Sequence, residues 1–271
     1  MTGNKVYIVG AGPGDPELLT VKAHRLLVQA DLVIYAGSLV NPEILRVCRP
    51  DAELVNSATM TMEEVMSMIE RAYLEGRKVV RLHSGDPHIY GAIREQMDML
   101  REKGIPYEVV PGVSVLTSAA ASLGTELTLE GVSQSILITR GGQRIPLDPR
   151  EDIRALAQHR STMVIFAAIH MIERVVRDLV EGGYSPETPV GVVYHSTWPD
   201  ELVIRGTLQD IVRKVKEARI YRTALIVVGD VVDPKNYRRS KLYDPGYTHS
   251  FRRGNSGASR AEESVPAQRD P

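Results

Sequence analysis

The strongest constraint on the fold is the regular alternation of strand-like and helix-like segments from Val6 to Gly112. Short apolar segments such as VYIVG, DLVIY and KVVRLH alternate with longer ones whose apolar residues recur at helical spacing, such as TMEEVMSMIERAYLEG. In that last segment Thr61 and Glu64 have the spacing of a capping box, and Gly76 is a stop signal. This alternation is typical of a mostly parallel, doubly wound sheet, so the sequence predicts an α/β fold.

The pattern changes after Gly112. A helix of small residues, VSVLTSAAASLG, precedes four further apolar strands and helices at about 150–159, 169–181 and 208–218, while ELVIRGTL is typical of an antiparallel hairpin. We therefore predict two α/β domains, an N-terminal one at 1–111 and a C-terminal one at 112–235. Residues 236–271 are predicted to form an extension and a tail, and the polar, aperiodic end of that tail is expected to be disordered.

The composition excludes several classes of function. Of the 271 residues 43% are hydrophobic, enough for a sizeable core, and the net charge of −1 is made of dispersed charges of both signs. No basic surface for nucleic acid is predicted. No apolar run approaches the roughly 18 residues of a membrane helix, and MTGNKVYIVG lacks the long apolar segment of a signal peptide. We therefore expect a cytoplasmic protein with neither a nucleic-acid nor a membrane partner.

The cysteine and histidine residues do not form the patterns of metal or nucleophilic chemistry. Cys48 is the single cysteine, which excludes an internal disulfide and a multi-cysteine metal site. The seven histidines lack H-x-x-x-H spacing, and the sequence has neither a G-x-S-x-G motif nor a P-loop lysine. We therefore expect no metal site, and a reaction such as transfer of a group from an already activated donor.

A glycine-rich turn follows the first predicted strand, in VYIVGAGPGDPELLT. Gly10 and Gly12 match the start of a dinucleotide-binding loop, but Asp15 stands where the third glycine of G-x-G-x-x-G is required. Pro13 removes one backbone donor, and the second strand ends without the acid that binds a ribose. These differences disfavour an NAD(P)-dependent reductase. What remains is a stiff turn at the carboxyl edge of a parallel sheet, where ligands bind.

Asp15 is open to two interpretations. It is either the N-cap of a helix that starts at Pro16 and continues through KAHRLLVQA, or a side chain that acts in the site. Polar turns after other strands are equally open. Asp86 can cap a helix or accept a hydrogen bond from a ligand, and Gly85 allows a ligand to approach the backbone. The helix after Ser114 offers free donors, although its small residues are also explained by tight packing.

Four ordered motifs resemble the S-adenosylmethionine-dependent tetrapyrrole methylase family. They are VGAGPGDPELLTVKAHRLLVQADLVIY, SGDPHIYG, VVPGVSVLTSAAA and RTALIVVGDVV, and together they extend from about Val6 to Val232. Within the family, YAGSLVNPEIL, NSATMTMEEV and YHSTWPDELVIRGTL are similar to the group that methylates C11 of precorrin-4 in cobalamin biosynthesis. A uroporphyrinogen methylase more often has G-G-D where this chain has Ser84, Gly85 and Asp86.

The resemblance implies a fold, an activity and an assembly. It implies two α/β domains with S-adenosyl-L-methionine in the cleft between them, methyl transfer to precorrin-4 or cobalt-precorrin-4, and a homodimer. Another precorrin methylase, a uroporphyrinogen III C-methyltransferase and a non-catalytic tetrapyrrole carrier remain alternatives.

The resemblance also implies ten cofactor-binding positions. By the resemblance, Pro13 borders the cofactor, the turn after the predicted strand KVVRLH holds its methionine and ribose portions, and Thr223 and Ala224 meet the adenine through backbone groups. Ala167 stands where relatives often have methionine, so only backbone or apolar contact is expected there. The full set is Pro13, Ser84, Gly85, Asp86, Ile89, Ser114, Val115, Ala167, Thr223 and Ala224.

The acceptor and the proton transfer call for further residues. A tetrapyrrole carries many carboxylates, and arginine binds carboxylates through forked, charge-assisted hydrogen bonds. Arg140 and Arg144 in TRGGQRIP are therefore the predicted substrate contacts, with solvated loop arginines as the alternative. For the catalytic base the sequence nominates Asp15, His83 and Tyr90 without selecting among them.

Overall fold

The alternating segments at the start of the chain form a five-stranded sheet in which all neighbouring strands are parallel. The computed structural model describes residues 4–142, 147–255 and 264–266. The strand order is β3-β2-β4-β1-β5. The strands are β1 (Val6–Gly10), β2 (Leu32–Tyr35), β3 (Glu53–Asn56), β4 (Val79–His83) and β5 (Tyr107–Val110). The predicted α/β fold is confirmed, and β3 is a strand that the sequence pattern did not reveal.

In the part of the chain that the structure describes, five α-helices follow these strands. They are α1 (Val21–Gln29), α2 (Pro42–Leu45), α3 (Met62–Leu74), α4 (Ile93–Glu102) and α5 (Val115–Ser122). Side chains of a strand alternate between the two faces of a sheet, so Val79 and Val80 enter different hydrophobic clusters. The cluster of Val79 includes residues of α3 and α4, whereas the cluster of Val80 includes Leu27 of α1. Helices therefore cover both faces of the sheet.

The helix starts follow local capping more closely than apolar periodicity. Thr61 and Glu64 form the predicted capping box, with bonds of 3.2 Å and 2.7 Å between their side chains and each other's backbone N–H groups. The single helix predicted from Pro16 is wrong. Asp15 caps only a short 3₁₀ turn, and α1 begins later because the Thr20 hydroxyl accepts the N–H of Ala23 at 3.1 Å.

The second sheet is mixed, in the order β6-β7-β10-β8-β9. Its strands are β6 (Ile136–Arg140), β7 (Thr162–Phe166), β8 (Pro189–Tyr194), β9 (Leu202–Thr207) and β10 (Ala224–Val228). β6 and β7 are parallel, whereas β10 is antiparallel to both β7 and β8. β8 and β9 form an antiparallel hairpin, as ELVIRGTL predicts. Helices α6 (Ile153–Ala157), α7 (Ile172–Glu181) and α8 (Ile211–Glu217) contribute to the hydrophobic cluster on this sheet.

Contacts divide the chain into two units, and each unit is made of two separate stretches of the sequence. The first unit contains Met1–Ala119 together with His195–Glu201, and the second contains Ala120–Tyr194 and Leu202–Pro271. The predicted boundary at residues 111 and 112 stays a prediction. Beyond the second sheet, β11 (Asn236–Arg238) pairs antiparallel with β12 (Ser264–Pro266).

Two expectations concern the chain as a whole. The disorder expected for the end of the tail falls partly on residues 256–263 and 267–271, which lie outside the described residues. Among the residues that the structure describes, no helix combines the length and the apolar character that crossing a membrane requires.

Candidate active site

The topology of the first sheet creates a crevice at the carboxyl ends of β1 and β4. These strands are neighbours, but the helix that follows β1 and the helix that follows β4 lie on opposite faces of the sheet. In open α/β sheets ligands bind at such a switch point. The glycine turn that follows β1 and the loop that follows β4 and contains Ser84, Gly85 and Asp86 lie at this point.

Glycines allow the backbones of three loops to meet at the crevice. A Cβ atom on Gly10 would lie 2.6 Å from the carbonyl oxygen of Gly85 and 2.7 Å from the Cα of Gly112. Gly12 and Gly85 also exchange two backbone hydrogen bonds of 3.2 Å and 2.8 Å. At Gly10 the space left by the missing side chain is therefore filled by neighbouring backbone.

The polar groups of the glycine turn are largely used within the protein. Besides the bonds of Gly12, four more backbone groups are paired. The N–H of Ala11 donates to the His83 carbonyl at 2.7 Å, and the N–H of Asp15 donates to the Thr197 hydroxyl at 3.0 Å. The Gly14 carbonyl accepts a hydrogen bond from the Asn41 amide at 2.8 Å, and the Pro13 carbonyl accepts one from the Trp198 indole N–H at 2.9 Å. A phosphate-binding loop needs free N–H groups, and here three of them are occupied. These bonds hold the backbone of the turn in place and occupy N–H groups that the phosphates of a dinucleotide would need, so the turn does not fit a dinucleotide.

The Asp86 carboxylate joins the loop after β4 to the loop after β5. One oxygen accepts the backbone N–H of His88 at 2.8 Å and lies 2.7 Å from its Nδ1, while the other accepts the N–H of Gly112 at 2.9 Å. Burial by itself raises the pKa of Asp86, but the hydrogen bonds from His88 and Gly112 outweigh it and hold the pKa below its usual range. Asp86 is therefore a fixed anion on the loop that follows β4.

The other candidate cofactor residues of the first unit lie around Asp86. Ser84 and Ile89 are half-buried on the same loop. Ser114 accepts the N–H of Leu116 at 3.2 Å, and Val115 is the first residue of α5. The structure thus brings the loop after β4 and the start of α5 to the same edge of the sheet as Pro13.

The three candidate bases have different surroundings. The Asp15 carboxylate accepts the N–H of Glu17 at 2.8 Å, so one oxygen is used as a cap. Tyr90 is exposed on a left-handed backbone with φ of 55°, and together with Ala92 it delays the start of α4 to Ile93. His83 is only 6% exposed, and among the described residues its Nε2 has no hydrogen-bond partner.

His83 is neutral in the folded protein. Burial lowers the pKa of His83 from 6.5 to about 3, and the nearby Arg81 charge makes a smaller contribution in the same direction. A hydrogen bond with Gln96 acts in the opposite direction but is outweighed. Burial also lowers the pKa of Arg81 to about 10. Arg81 is held by the Ile34 carbonyl at 3.1 Å and by the Gln96 side chain at 3.3 Å. A base with so low a pKa is weak at neutral pH.

The buried His83 predicts acid sensitivity. The unfolded chain binds a proton on His83 below about pH 6.5 and the folded chain does not, so this contribution to stability is present above that pH and is lost as the pH falls. We expect the contribution to be about 2 kcal/mol smaller at pH 5 than at pH 8. Denaturant unfolding of wild type and His83→Gln at both values measures it. Equal pH dependence of the two proteins would contradict the assignment.

The candidate residues of the second unit gather at one edge of its own sheet. Arg140 ends β6 opposite Phe166 in the parallel β7, and Ala167 follows directly. Since β10 runs antiparallel to β7, Thr223 and Ala224 lie at the same edge. Ala167 and Thr223 have left-handed backbones, with φ of 48° and 54°, and such strain in non-glycine residues concentrates at functional sites. Arg144 lies outside the described residues.

Sequence reasoning missed the side chains that hold the glycine turn. Trp198 and Thr197 follow β8, and Asn41 is the N-cap of α2. The one available signal was that Trp198 is the only tryptophan in the chain and stands beside Pro199 in a turn between two strands.

Known proteins resemble this chain over most of its length. The profile of the family described as Tetrapyrrole (Corrin/Porphyrin) Methylases matches residues 5–212. The chain is 54% identical over 249 residues to the cobalt-precorrin-4 C(11)-methyltransferase of Methanocaldococcus jannaschii, which covers 92% of this chain and 96% of the relative. A solved cobalt precorrin-4 methyltransferase has a TM-score of 0.83 at 41% identity, covering 85% of this chain and 96% of that one. A uroporphyrin-III C-methyl transferase from Thermus thermophilus, complexed with S-adenyl homocysteine, has a TM-score of 0.72 at 33% identity, with coverages of 86% and 95%.

Proposed function

The chain belongs to the tetrapyrrole (corrin/porphyrin) methylase family, and on this premise we propose that it transfers a methyl group from S-adenosyl-L-methionine to C11 of precorrin-4, or of its cobalt form, in cobalamin biosynthesis. The observation that carries the proposal is identity of 54% extending over 96% of a relative with that activity in its name. The enzyme is thus a C-methyltransferase, and neither another position on the ring nor a carrier role has comparable support.

The groups at the strand ends suit S-adenosylmethionine. The cosubstrate presents an ammonium group and ribose hydroxyls, and the fixed carboxylate of Asp86 can accept hydrogen bonds from either. Ser84 and Ile89 lie on the same loop and offer a hydroxyl and an apolar surface. On the family resemblance, backbone groups of Thr223 and Ala224 are proposed to meet the adenine, and Ala167, which like Thr223 has a left-handed backbone, is proposed to make a backbone or apolar contact. When bound, S-adenosylmethionine supplies a sulfonium methyl that is already electrophilic.

The protein's main contribution to this reaction is alignment. Holding an acceptor carbon in line with the methyl group at near-attack distance can lower the barrier by roughly 7–11 kcal/mol. The glycine turn, whose backbone is pinned by the bonds to Asn41, Thr197 and Trp198, is proposed as the surface against which the flat acceptor lies.

Proton removal and carboxylate binding complete the proposal. The low pKa of His83 makes it a weak acceptor of a ring proton at neutral pH, and Asp15 and Tyr90 remain nominated as the base. Arg140, half-buried at the end of β6, is proposed to bind an acceptor carboxylate through its guanidinium fork. Arg144 remains part of the same proposal on its sequence position alone.

Calorimetric titration with S-adenosylhomocysteine and with NADPH separates the classes of function. We expect saturable binding of S-adenosylhomocysteine and no binding of NADPH. Binding of NADPH alone would overturn the proposal in favour of a reductase. Binding of neither, by a folded protein that still binds a tetrapyrrole, would favour a carrier.

The family resemblance also leads us to propose a homodimer, and the sequence leads us to propose a cytoplasmic location. Light scattering coupled to gel filtration should give twice the mass of one chain. A mass equal to one chain at micromolar concentration would contradict the dimer, and cell fractionation tests the location.

A further inference from the structure

The segment His195–Glu201 lies between β8 and β9 in the chain but belongs to the first unit by its contacts. Its Trp198 side chain lies against the glycine turn. A Cβ atom on Gly14 would overlap the indole ring, approaching its Cγ to 3.0 Å, and the indole N–H donates to the Pro13 carbonyl at 2.9 Å. Gly14 therefore provides the space that this ring occupies, and one bond fixes the turn to the ring.

Two neighbours of Trp198 strengthen the same attachment. The hydroxyl of Thr197 accepts a hydrogen bond from the N–H of Asp15 at 3.0 Å. Asp15 is the next residue in the chain after Pro13 and Gly14, which Trp198 contacts. The hydroxyl of Ser196 donates to that of Ser118 at 2.8 Å, and both serines are buried. The segment thus contacts the turn and α5 at successive residues, as a clamp made of three adjacent side chains.

The clamp is held in a strained backbone conformation. His195 and Thr197 have φ of 45° and 68°, in the left-handed region that costs a non-glycine residue about 1–2 kcal/mol. Three other contacts hold this conformation. The His195 ring stacks on the Trp198 ring, with 4.3 Å between the ring centres and 22° between the planes, and Nδ1 of His195 lies 3.0 Å from the Asp200 carboxylate. The N–H of Thr197 donates to the Glu201 carboxylate at 2.5 Å. Strain of this kind persists where the surrounding structure over-determines it, and it concentrates at functional sites.

We propose that Trp198 is a positioning residue for methyl transfer: it sets the place of Pro13 and Gly14 so that the turn aligns the acceptor. The inference rests on the proposed function. Because most of the backbone polar groups of the turn are bonded within the protein itself, the turn acts on a ligand mainly through its shape. Trp198 controls that shape through one hydrogen bond and one filled space. Small misplacements of a reacting group reduce rates by up to about a hundred-fold.

The test compares Trp198→Phe with wild type. Phenylalanine keeps an aromatic ring beside Gly14 and His195 but cannot donate to the Pro13 carbonyl. We expect kcat for methyl transfer to fall about ten-fold, in line with misalignment by a fraction of an ångström. The dissociation constant of S-adenosylhomocysteine should stay within two-fold, and the thermal midpoint should change little. Tyr221→Phe, a ring-preserving change at an exposed residue, is the matched control and should leave all three unchanged.

A second variant keeps the inference testable if Trp198→Phe does not fold. Thr197→Val preserves the β-branched shape but removes the oxygen that accepts the N–H of Asp15, and it should lower kcat in the same direction. Wild-type kcat in both folded variants would overturn the inference. So would a parallel loss of S-adenosylhomocysteine affinity, thermal midpoint and kcat, because that marks a merely structural role. Absence of methyl transfer by wild type itself would instead contradict the proposed function.

Discussion

Replacing Gly10 by alanine is expected to lower the free energy of unfolding by about 3 kcal/mol and to abolish binding of S-adenosylhomocysteine. The added Cβ would lie 2.6 Å from the Gly85 carbonyl oxygen and 2.7 Å from both the Cα and the N of Gly112. All three atoms are backbone, so no side-chain rotation relieves the overlap. β1 must then separate from the loops after β4 and β5, and those loops carry Asp86 and Ser114.

Denaturant unfolding and calorimetry measure these effects, and Gly104→Ala is the control. Gly104 has φ of 66° but nothing within 4 Å of an added Cβ, so its replacement costs only about 1 kcal/mol of backbone strain and should leave binding intact. Equal destabilisation by the two substitutions would show that the close approach of the three loops is not what makes Gly10 necessary.

Asp86→Ala is expected to weaken S-adenosylhomocysteine binding at least ten-fold while the protein stays folded. The substitution removes the acceptor for the N–H groups of His88 and Gly112 and removes the fixed negative charge at the crevice. A hydrogen bond to a charged group contributes about 1.5–3 kcal/mol, which corresponds to a factor of ten or more in affinity. Calorimetric titration of variant and wild type gives the ratio directly.

Asp98→Ala is the matched control for Asp86→Ala. Asp98 is a carboxylate on α4 that forms ion pairs with Arg94 and Arg101 at the surface, so its removal should not change S-adenosylhomocysteine affinity. Unchanged affinity for S-adenosylhomocysteine in folded Asp86→Ala would show that Asp86 serves only to hold the loop. Acid provides a further check: because folding lowers the pKa of Asp86, its contribution to stability is present above about pH 4 and is lost as the pH falls below that value.

The first sheet was predictable because its signals are local. β-branched strands, the helical periodicity of α3 and the Thr61–Glu64 capping box each lie within a few residues, and these formed as expected. β3 was missed because ELVN is short and mostly exposed at the edge of the sheet. The helix predicted from Pro16 was wrong because the Thr20 side chain caps a later start.

The site was predictable only in part, for a related reason. Glycines and acids after strands indicate a ligand edge in any parallel sheet, so the turn at Gly10 and the loop at Asp86 could be named in advance. The hydrogen bond between Trp198 and Pro13 joins residues 185 positions apart, and no local pattern encodes it. The burial of His83 likewise depends on elements packed around β4 and not on its neighbours in sequence.

The glycine turn has the composition of a nucleotide loop but a different physical role. Its donors serve the protein: Ala11 and Asp15 bond His83 and Thr197, while Gly12 bonds Gly85. A turn of this kind offers a flat acceptor a fixed surface, which suits a reaction whose barrier is lowered mainly by alignment.

Methyl transfer itself is the most direct test of the central claim. The enzyme is incubated with S-adenosylmethionine carrying a ¹³C-labelled methyl group and with precorrin-4 or cobalt-precorrin-4, and the product is examined by NMR. We expect a single labelled methyl on C11 and one equivalent of S-adenosylhomocysteine, with the better acceptor deciding whether cobalt is present in the natural substrate. A labelled methyl on any other ring carbon, or no transfer to either acceptor by folded enzyme, would contradict the account.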